Sequence, residues 1–256
     1  MPESKRSIGI VFMSEQARQG ALALAMQHPD AVLNFAAPRG LYPEDWDQGL
    51  RQQIKEFGRA YLEDGLPHSP VGYLASVDEL LVVTDQVAGQ GTVTPNVPVE
   101  LDRLLALAHH YGIPVRLHDA AGHPVDPQVP PPTDGCEEFV KQFEAQRIAA
   151  TQSLDTVRVD REWHASGLWN AQGAMLSFEQ ADVPMPLARR LVRWISAYNR
   201  TLYNTMSEAF WIEHHQMGLA IARDLQAHWG TGPRVVVWDG HAEQWVWIGD
   251  VPVGST

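Results

Sequence analysis

The sequence is poor in cysteine and in long apolar runs. It has one cysteine, Cys136, so an intramolecular disulfide and a cysteine-rich zinc site are both excluded. No apolar run approaches the roughly 20 residues of a transmembrane helix. The apolar stretch Ile8–Met13 is too short for the core of a signal peptide. We therefore expect a cytoplasmic protein that has no membrane partner.

Basic residues are also scarce. The chain has 19 Lys and Arg residues against 31 Asp and Glu residues, a formal net charge of -12 at pH 7. Phosphate backbones and anionic lipids repel a protein of this charge, so we expect no nucleic-acid partner. The composition, 45% hydrophobic and 20% charged, is that of a folded globular protein and argues against extended disorder.

Sequence motifs that are diagnostic of a particular enzymatic reaction are missing as well. The chain has no Gly-x-Gly-x-x-Gly, no Walker loop and no Gly-x-Ser-x-Gly. Its histidines lack the His-Glu-x-x-His spacing, and adjacent residues such as His214 and His215 point about 100° apart on a helix. One such pair does not easily chelate one ion, so we expect no metal and no cofactor.

A proline-rich segment divides the chain. The segment His123–Gly135 contains five prolines, which oppose regular helix and favour extended geometry. Residues 1–154 hold 20 acidic and 11 basic residues, net -9, whereas residues 155–256 hold 11 and 8, net -3. We predict a domain at 1–122, a linker at 123–138 and a second domain at 139–256.

The first domain alternates strands and helices. Continuous apolar runs predict strands that are buried on both faces, and the spacing of apolar residues between them predicts helices. This order favours a Rossmann-like α/β fold, a mainly parallel sheet with helices on both faces that binds ligands at the carboxyl ends of its strands. The predicted strands are Ser7–Met13, Asp30–Ala37, Val77–Thr84 and Ile113–His118, and the predicted helices Ala17–Gln27, Trp46–Asp64 and Val99–Tyr111.

The residues at the ends of the predicted strands form a pattern that is similar to a known family. The first strand ends at Ser14, the middle strand runs from Asp78 to Asp85, a glycine-containing loop follows, and Glu100 opens the next helix, which leads into Gly112-Ile-Pro-Val. Over about residues 7–118 this pattern resembles the nucleoside 2-deoxyribosyltransferase-like Rossmannoids and related nucleotide-sensing or nucleotide-cleaving domains. The resemblance implies a nucleoside or nucleotide substrate. It also implies that Glu100 attacks the anomeric carbon of the sugar, with Asp85 as its partner.

The chain departs from that pattern at two places. The long loop Gln86–Pro98 replaces a tight Asp-x-Gly turn, and the usual Gly-Pro is missing after the opening strand. Both departures affect residues expected to form the active site in that family, and neither changes the expected fold. By position, the residues expected to bind substrate are Ser14, Pro38, Arg39 and Asn96.

The residues themselves leave two interpretations of these positions open. A carboxylate such as Glu100 at a helix start stays ionised, as a nucleophile must, but ordinary helices also begin with carboxylates. Asp85 follows a strand end, where it either orients a ribose or caps a turn. The Arg39 guanidinium matches phosphate oxygens in shape, although an arginine at this position is more often an ordinary surface residue.

The second domain is rich in tryptophan, since eight of the nine tryptophans lie after residue 160. Apolar spacing predicts helices at Phe139–Ala150, Pro186–Tyr203 and Ser207–Trp229, and the segment 163–173 is predicted to be irregular. The chain ends in a predicted β-hairpin, with strands Pro233–Trp238 and Gln244–Ile248, in which Trp245 and Trp247 share one face. We expect a smaller α+β domain in which the tryptophans form either a core or a binding face.

Two functions remain open from the sequence. The first is a nucleoside- or nucleotide-binding protein that cleaves or transfers an N-glycosidic bond through Glu100. The alternative is a non-catalytic acidic interaction protein, similar to immunity proteins or phage-derived partners, that binds a protein through its tryptophan-rich domain. The negative net charge favours a basic partner in that case.

Overall fold

The structure, a computed structural model, describes residues 6–37, 62–63, 66–67, 69–84, 99–125, 136–162, 165–202, 204–239 and 244–251. The chain divides into two compact units, Met1–Gln142 and Phe143–Thr256, which are called unit 1 and unit 2 below.

Unit 1 contains a four-stranded parallel sheet. The order of its strands is β2-β1-β5-β6, and each neighbouring pair is parallel, so the predicted α/β class with a parallel sheet is confirmed. The elements of this unit are β1 (Ser7–Phe12), α1 (Glu15–Gln27), β2 (Val32–Ala36), β3 (Leu62–Glu63), β4 (Leu66–Pro67), α2 (Pro70–Ala75), β5 (Glu79–Val83), α3 (Val99–His110) and β6 (Val115–His118).

The core of unit 1 forms because its central strands are apolar on both faces. In β1, Ile8, Ile10 and Phe12 are fully buried, and Leu81 and Val83 of β5 belong to the same cluster. Helix α1 covers this cluster with its small and branched residues, which come three or four positions apart. The residues of α1 in the cluster are Ala17, Ala21, Leu24 and Ala25.

Two predictions in the middle of unit 1 need correction. The helix predicted at Trp46–Asp64 is wrong at its end, because Leu62–Glu63 is a strand that pairs antiparallel with Leu66–Pro67. Residues 46–61 lie outside the described residues. Helix α2 was not predicted. Its six residues are too few to show a period, although Ser69 caps it by accepting a hydrogen bond from the backbone N–H of Gly72 at 3.1 Å.

Unit 2 is built on a mixed sheet. Its strand order is β10-β9-β7-β8, with a parallel central pair β7–β9 and antiparallel pairs on both sides. Helix α6 packs against α5 and β9. The elements from Cys136 onward are α4 (Cys136–Gln152), β7 (Thr156–Val159), β8 (Leu168–Asn170), α5 (Met185–Asn199), α6 (Glu208–Trp229), β9 (Arg234–Asp239) and β10 (Gln244–Trp247).

The three predicted helices and the hairpin of unit 2 are confirmed, with shifted ends. The helix predicted to reach Tyr203 ends at Asn199 and continues as a short 3-10 turn, Arg200–Leu202. The prediction that 163–173 is irregular is wrong at Leu168–Asn170, which is strand β8. Both β8 and its partner β7 have three or four residues, so neither carries a clear alternation in sequence, and pairing in the folded sheet defines them.

Candidate functional site

In the parallel sheet of unit 1, the chain first adds a strand on one side of β1 and later adds the remaining strands on its other side. From β1 the chain passes to β2 on one side, whereas β5 lies on the other side of β1. In an open parallel sheet, a crevice forms at the carboxyl ends of the strands where the order reverses, and ligands bind there. Here the reversal lies between β1 and β5, which end side by side because Phe12 pairs with Val83. This edge is therefore the candidate site.

Ser14 stands at this edge as the residue that begins α1. Its backbone is extended, and its hydroxyl oxygen accepts a hydrogen bond from the backbone N–H of Ala17 at 3.0 Å. Ser14 therefore caps α1, and its side chain is half-buried. Because α1 starts directly after β1, its positive N-terminal end lies beside the crevice at the strand ends.

The other predicted site residues are described only in part. Glu100 is the second residue of α3, so it lies in the first turn of that helix as predicted, but its side chain is not among the described parts of the structure. Asp85, Pro38, Arg39 and Asn96 lie outside the described residues. Their predicted roles therefore stay predictions. Thr84, which precedes Asp85, extends the sheet, since its backbone N–H donates to the carbonyl oxygen of His118 at 3.0 Å.

His118 is a polar residue at this edge to which the sequence reasoning assigned no role. It ends β6, is 7% exposed, and pairs with Val83 in the sheet. Its Nδ1–H donates to the carbonyl oxygen of Gly122 at 3.3 Å, which leaves Nε2 as a buried acceptor without a hydrogen-bond partner among the described residues. Burial lowers the pKa of His118. The signal in the sequence was a histidine at the carboxyl end of a predicted strand.

The amino edge of the same sheet holds a polar network of a different kind. The buried Asn34 amide donates to Ser7 Oγ at 3.1 Å and to the carbonyl oxygen of Ser76 at 3.2 Å. Tyr73 donates through its hydroxyl to the carbonyl oxygen of Asn34 at 3.2 Å. These bonds join β2, β1 and the segment before β5, and they satisfy a buried amide that would otherwise be costly.

A buried carboxylate lies at the same amino edge. Glu79 is 4% exposed, and its two oxygens contact Arg6 Nη2 at 2.7 Å and Arg116 Nε at 3.5 Å. A buried charge needs such partners because its desolvation penalty is several kcal/mol. The polar side chains described at the amino edge are bonded to one another, so their role is to hold the strands in place.

Unit 2 has a pocket of about 260 Å³ on the surface of α6. Arg161 bounds it, with its guanidinium carbon 5.1 Å from the ring centroid of Trp211 and 5.7 Å from that of Tyr198. The remaining lining residues are Glu208, Trp211, Ile212, His215 and Gln216. Sequence reasoning did not find this pocket, because Arg161 and the α6 residues are far apart in the chain.

The described part of the chain shows no group of three or more His, Cys, Asp or Glu residues that would hold a metal ion. Over those same residues, no helix has both the length and the apolar character needed to cross a bilayer.

Comparison of the chain with protein-family models, curated proteins and solved structures found no match.

Proposed function

We propose that unit 1 binds a nucleoside or nucleotide at the carboxyl edge of its sheet and cleaves or transfers the N-glycosidic bond of that ligand. The observation that carries the proposal is the strand order β2-β1-β5-β6, all parallel, which reverses between β1 and β5. In doubly wound sheets of this kind, the crevice at the reversal is where mononucleotides bind.

Two helices support a ligand with negative charge at that edge. Helix α1 begins at the end of β1, with Ser14 as its cap, and α3, the helix that comes after β5 in the chain, begins at Val99. The N-terminus of a helix carries partial positive charge and unpaired N–H groups that suit phosphate oxygens. Arg39, which follows the predicted second strand, supplies a guanidinium for the same group.

The proposed chemistry uses Glu100 as the nucleophile. The first turn of α3 favours the ionised form of its carboxylate, by about 0.3–1 kcal/mol. One carboxylate oxygen forms a bond to C1′ of the sugar while the C1′–N bond breaks. The electron pair moves to the base nitrogen, which takes a proton from water. Water or a second base then displaces Glu100 from C1′, which gives hydrolysis or transfer.

The remaining predicted residues position the ligand in this proposal. Asp85 accepts hydrogen bonds from the substrate and orients it toward Glu100. Ser14, Pro38 and Asn96 contact the sugar or the base in this proposal. Polar groups of this kind provide specificity in an otherwise apolar crevice.

Binding and cleavage are separable measurements. Thermal unfolding of the full chain with each common nucleoside, nucleotide and NAD tests binding, and chromatography of the released base tests cleavage. A ligand at a hundred times its Kd stabilises the protein by about 2.7 kcal/mol, which shifts Tm visibly. Stabilisation by at least one ligand, with release of its base, supports the proposal. If no ligand shifts Tm and no base is released, the proposal is wrong.

A further inference from the structure

One face of the unit 2 sheet carries an unusual set of side chains, which we call the tryptophan face. Residues that are opposite each other in neighbouring strands point to the same side of a sheet. Trp238 pairs with Trp245, Val236 with Trp247 and with Arg158, and Arg158 with Trp169. An isolated bridge places Met175 opposite Trp169. Arg234 lies opposite Thr156, so the tryptophan face consists of Thr156, Arg158, Trp169, Met175, Arg234, Val236, Trp238, Trp245 and Trp247.

The other face of this sheet is the one that packs into the core. Four of its valines, Val157, Val159, Val235 and Val237, are each 5% exposed or less, and α6 packs against β9. On the tryptophan face, by contrast, Met175 is 53%, Trp238 44% and Trp247 39% exposed. Large apolar side chains that remain exposed together in this way mark an interaction surface.

The two arginines of this face are held against its rings. The guanidinium carbon of Arg158 lies 5.1 Å from the ring centroid of Trp245, and this side chain also donates to the carbonyl oxygen of Ala171. The guanidinium carbon of Arg234 lies 5.7 Å from the ring centroid of Trp247. Stacking on an indole leaves the edge of a guanidinium free to donate hydrogen bonds, and it lowers the entropy lost when a partner binds.

The tryptophan rings are also fixed in position. Trp238 and Trp245 meet edge to face, with ring centroids 5.6 Å apart. Trp247 donates through Nε1 to Gln226 Oε1 at 3.1 Å, and the same oxygen accepts from the backbone N–H of Val235 at 2.8 Å. A surface with few free rotamers loses little entropy on binding, so these rings are suited to anchor a partner.

We propose that the tryptophan face binds a protein segment in which carboxylates lie beside apolar side chains. Tryptophan, methionine and arginine are the residues enriched in protein interfaces, while lysine, aspartate and glutamate are depleted there. The strand residues on this face include two arginines and no acidic residue, so carboxylates complement it. This differs from the basic partner that the net charge of the whole chain favours.

Two other occupants fit the face less well. A second copy of the chain would bring four guanidinium groups together without a carboxylate to neutralise them, and each copy carries a net charge of -12. A single-stranded nucleic acid would stack on the tryptophans, but the same net charge repels its phosphates. Both occupants are outcomes of the test below.

The test selects a random dodecapeptide library on the full chain and then measures the affinity of the recovered peptides by fluorescence anisotropy. We expect the peptides to be enriched in Asp and Glu together with apolar residues. Arg158→Gln combined with Arg234→Gln should weaken their binding about tenfold or more, as expected for anchoring residues. Trp238→Ala, at an exposed position, should weaken binding similarly while the circular dichroism spectrum of the protein is unchanged.

Arg193→Gln combined with Arg200→Gln is the matched control, because both arginines are exposed, on α5 and on the turn that follows it, and the charge change is the same. It should leave the affinity within twofold of wild type. The proposal is overturned if no peptide is enriched, if the enriched peptides lack acidic residues, or if the arginine variant binds as tightly as wild type. Sedimentation showing a dimer that Trp238→Ala dissociates would assign the face to a second copy. Binding of oligo(dT) that Trp238→Ala abolishes would assign it to nucleic acid.

Discussion

Trp194 and His214 exchange hydrogen bonds between two helices of unit 2. Trp194 in α5 donates through Nε1 to the carbonyl oxygen of His214 at 2.9 Å, and His214 in α6 donates through Nε2 to the carbonyl oxygen of Trp194 at 3.0 Å. Their rings stack with centroids 5.1 Å apart. Since both residues are buried, the pair fixes the position of α5 against α6 with its polar atoms satisfied, except for His214 Nδ1.

This pair should make the stability of the protein depend on pH near neutrality. Burial lowers the pKa of His214 from 6.5, and burial lowers the pKa of His118 in the same direction. The unfolded chain therefore takes up protons first as the pH falls below about 6.5, and the free energy of unfolding decreases. The slope should approach about 1.4 kcal/mol per pH unit for each histidine. Urea unfolding between pH 7.5 and 5.5 measures it.

Carboxylates with shifted pKa values act in another pH range and with the opposite sign. Burial raises the pKa of Asp160 and of Asp182 above 3.8, so their protonation favours the folded state, and this effect appears at lower pH.

His214→Phe should reduce the slope of the free energy of unfolding between pH 7.5 and 5.5. A wild-type protein with constant stability over that interval would contradict this account of the histidines.

Gly218 should be intolerant of alanine, although alanine favours helix. A Cβ atom at position 218 would lie 2.8 Å from Cζ2 of the Trp194 ring, closer than real contacts. Gly218→Ala should therefore lower the free energy of unfolding by about 1–3 kcal/mol, the usual cost of overpacking. In a Trp194→Phe background, the smaller ring should reduce that cost. A double-mutant cycle by urea unfolding measures the coupling, and equal costs in both backgrounds would exclude the clash as the cause.

Removal of the Ser14 hydroxyl should destabilise helix α1. Ser14→Ala loses the bond to the Ala17 N–H and should lower the free energy of unfolding by about 1 kcal/mol. Ser14→Asp restores an acceptor and should recover most of this loss. Ser207→Ala is the matched change in unit 2, because Ser207 caps α6 through the N–H of Phe210 at 3.2 Å. A Ser14→Ala variant as stable as wild type would show that the cap contributes nothing.

Glu100→Gln should abolish release of the base while the fold is retained. The substitution keeps the size of the side chain and removes the negative charge that the proposed attack requires. Glu137→Gln is the control, because Glu137 is the second residue of α4 as Glu100 is of α3. Loss of the dipole interaction should cost each variant about 0.3–1 kcal/mol. Chromatographic assay of the base, with Tm measured in parallel, tests the prediction, and full activity in Glu100→Gln would refute it.

The local pattern of the sequence was sufficient for most long elements. Strands β1 and β5 follow from continuous apolar runs, and α5 and α6 follow from apolar residues three and four positions apart. Trp194 is one of the apolar residues at this spacing in α5, and it is 4% exposed. These features depend on residues within one or two helical turns, so an isolated stretch of sequence contains the information.

The short strands of unit 2 could not be predicted from the local sequence pattern. Strand β7 was not predicted, yet it is one of the two central strands of the sheet, because it pairs with β8 on one side and with the distant strand β9 on the other. A strand of four residues has too little alternation to be recognised without its neighbours. Likewise, the unpredicted two-residue strands β3 and β4 exist only as partners of each other.

The sequence by itself determined the α/β class, the parallel direction of the strands in the first sheet and the existence of the long helices, because these depend on local periodicity. Tertiary structure alone decided which polar groups meet. It joined Glu79 to two arginines, paired Trp194 with His214, and aligned four tryptophans and two arginines on one sheet face. Strand register and helix packing set these contacts. Both depend on burying apolar residues from distant parts of the chain together, so no single segment of the sequence is enough to predict them.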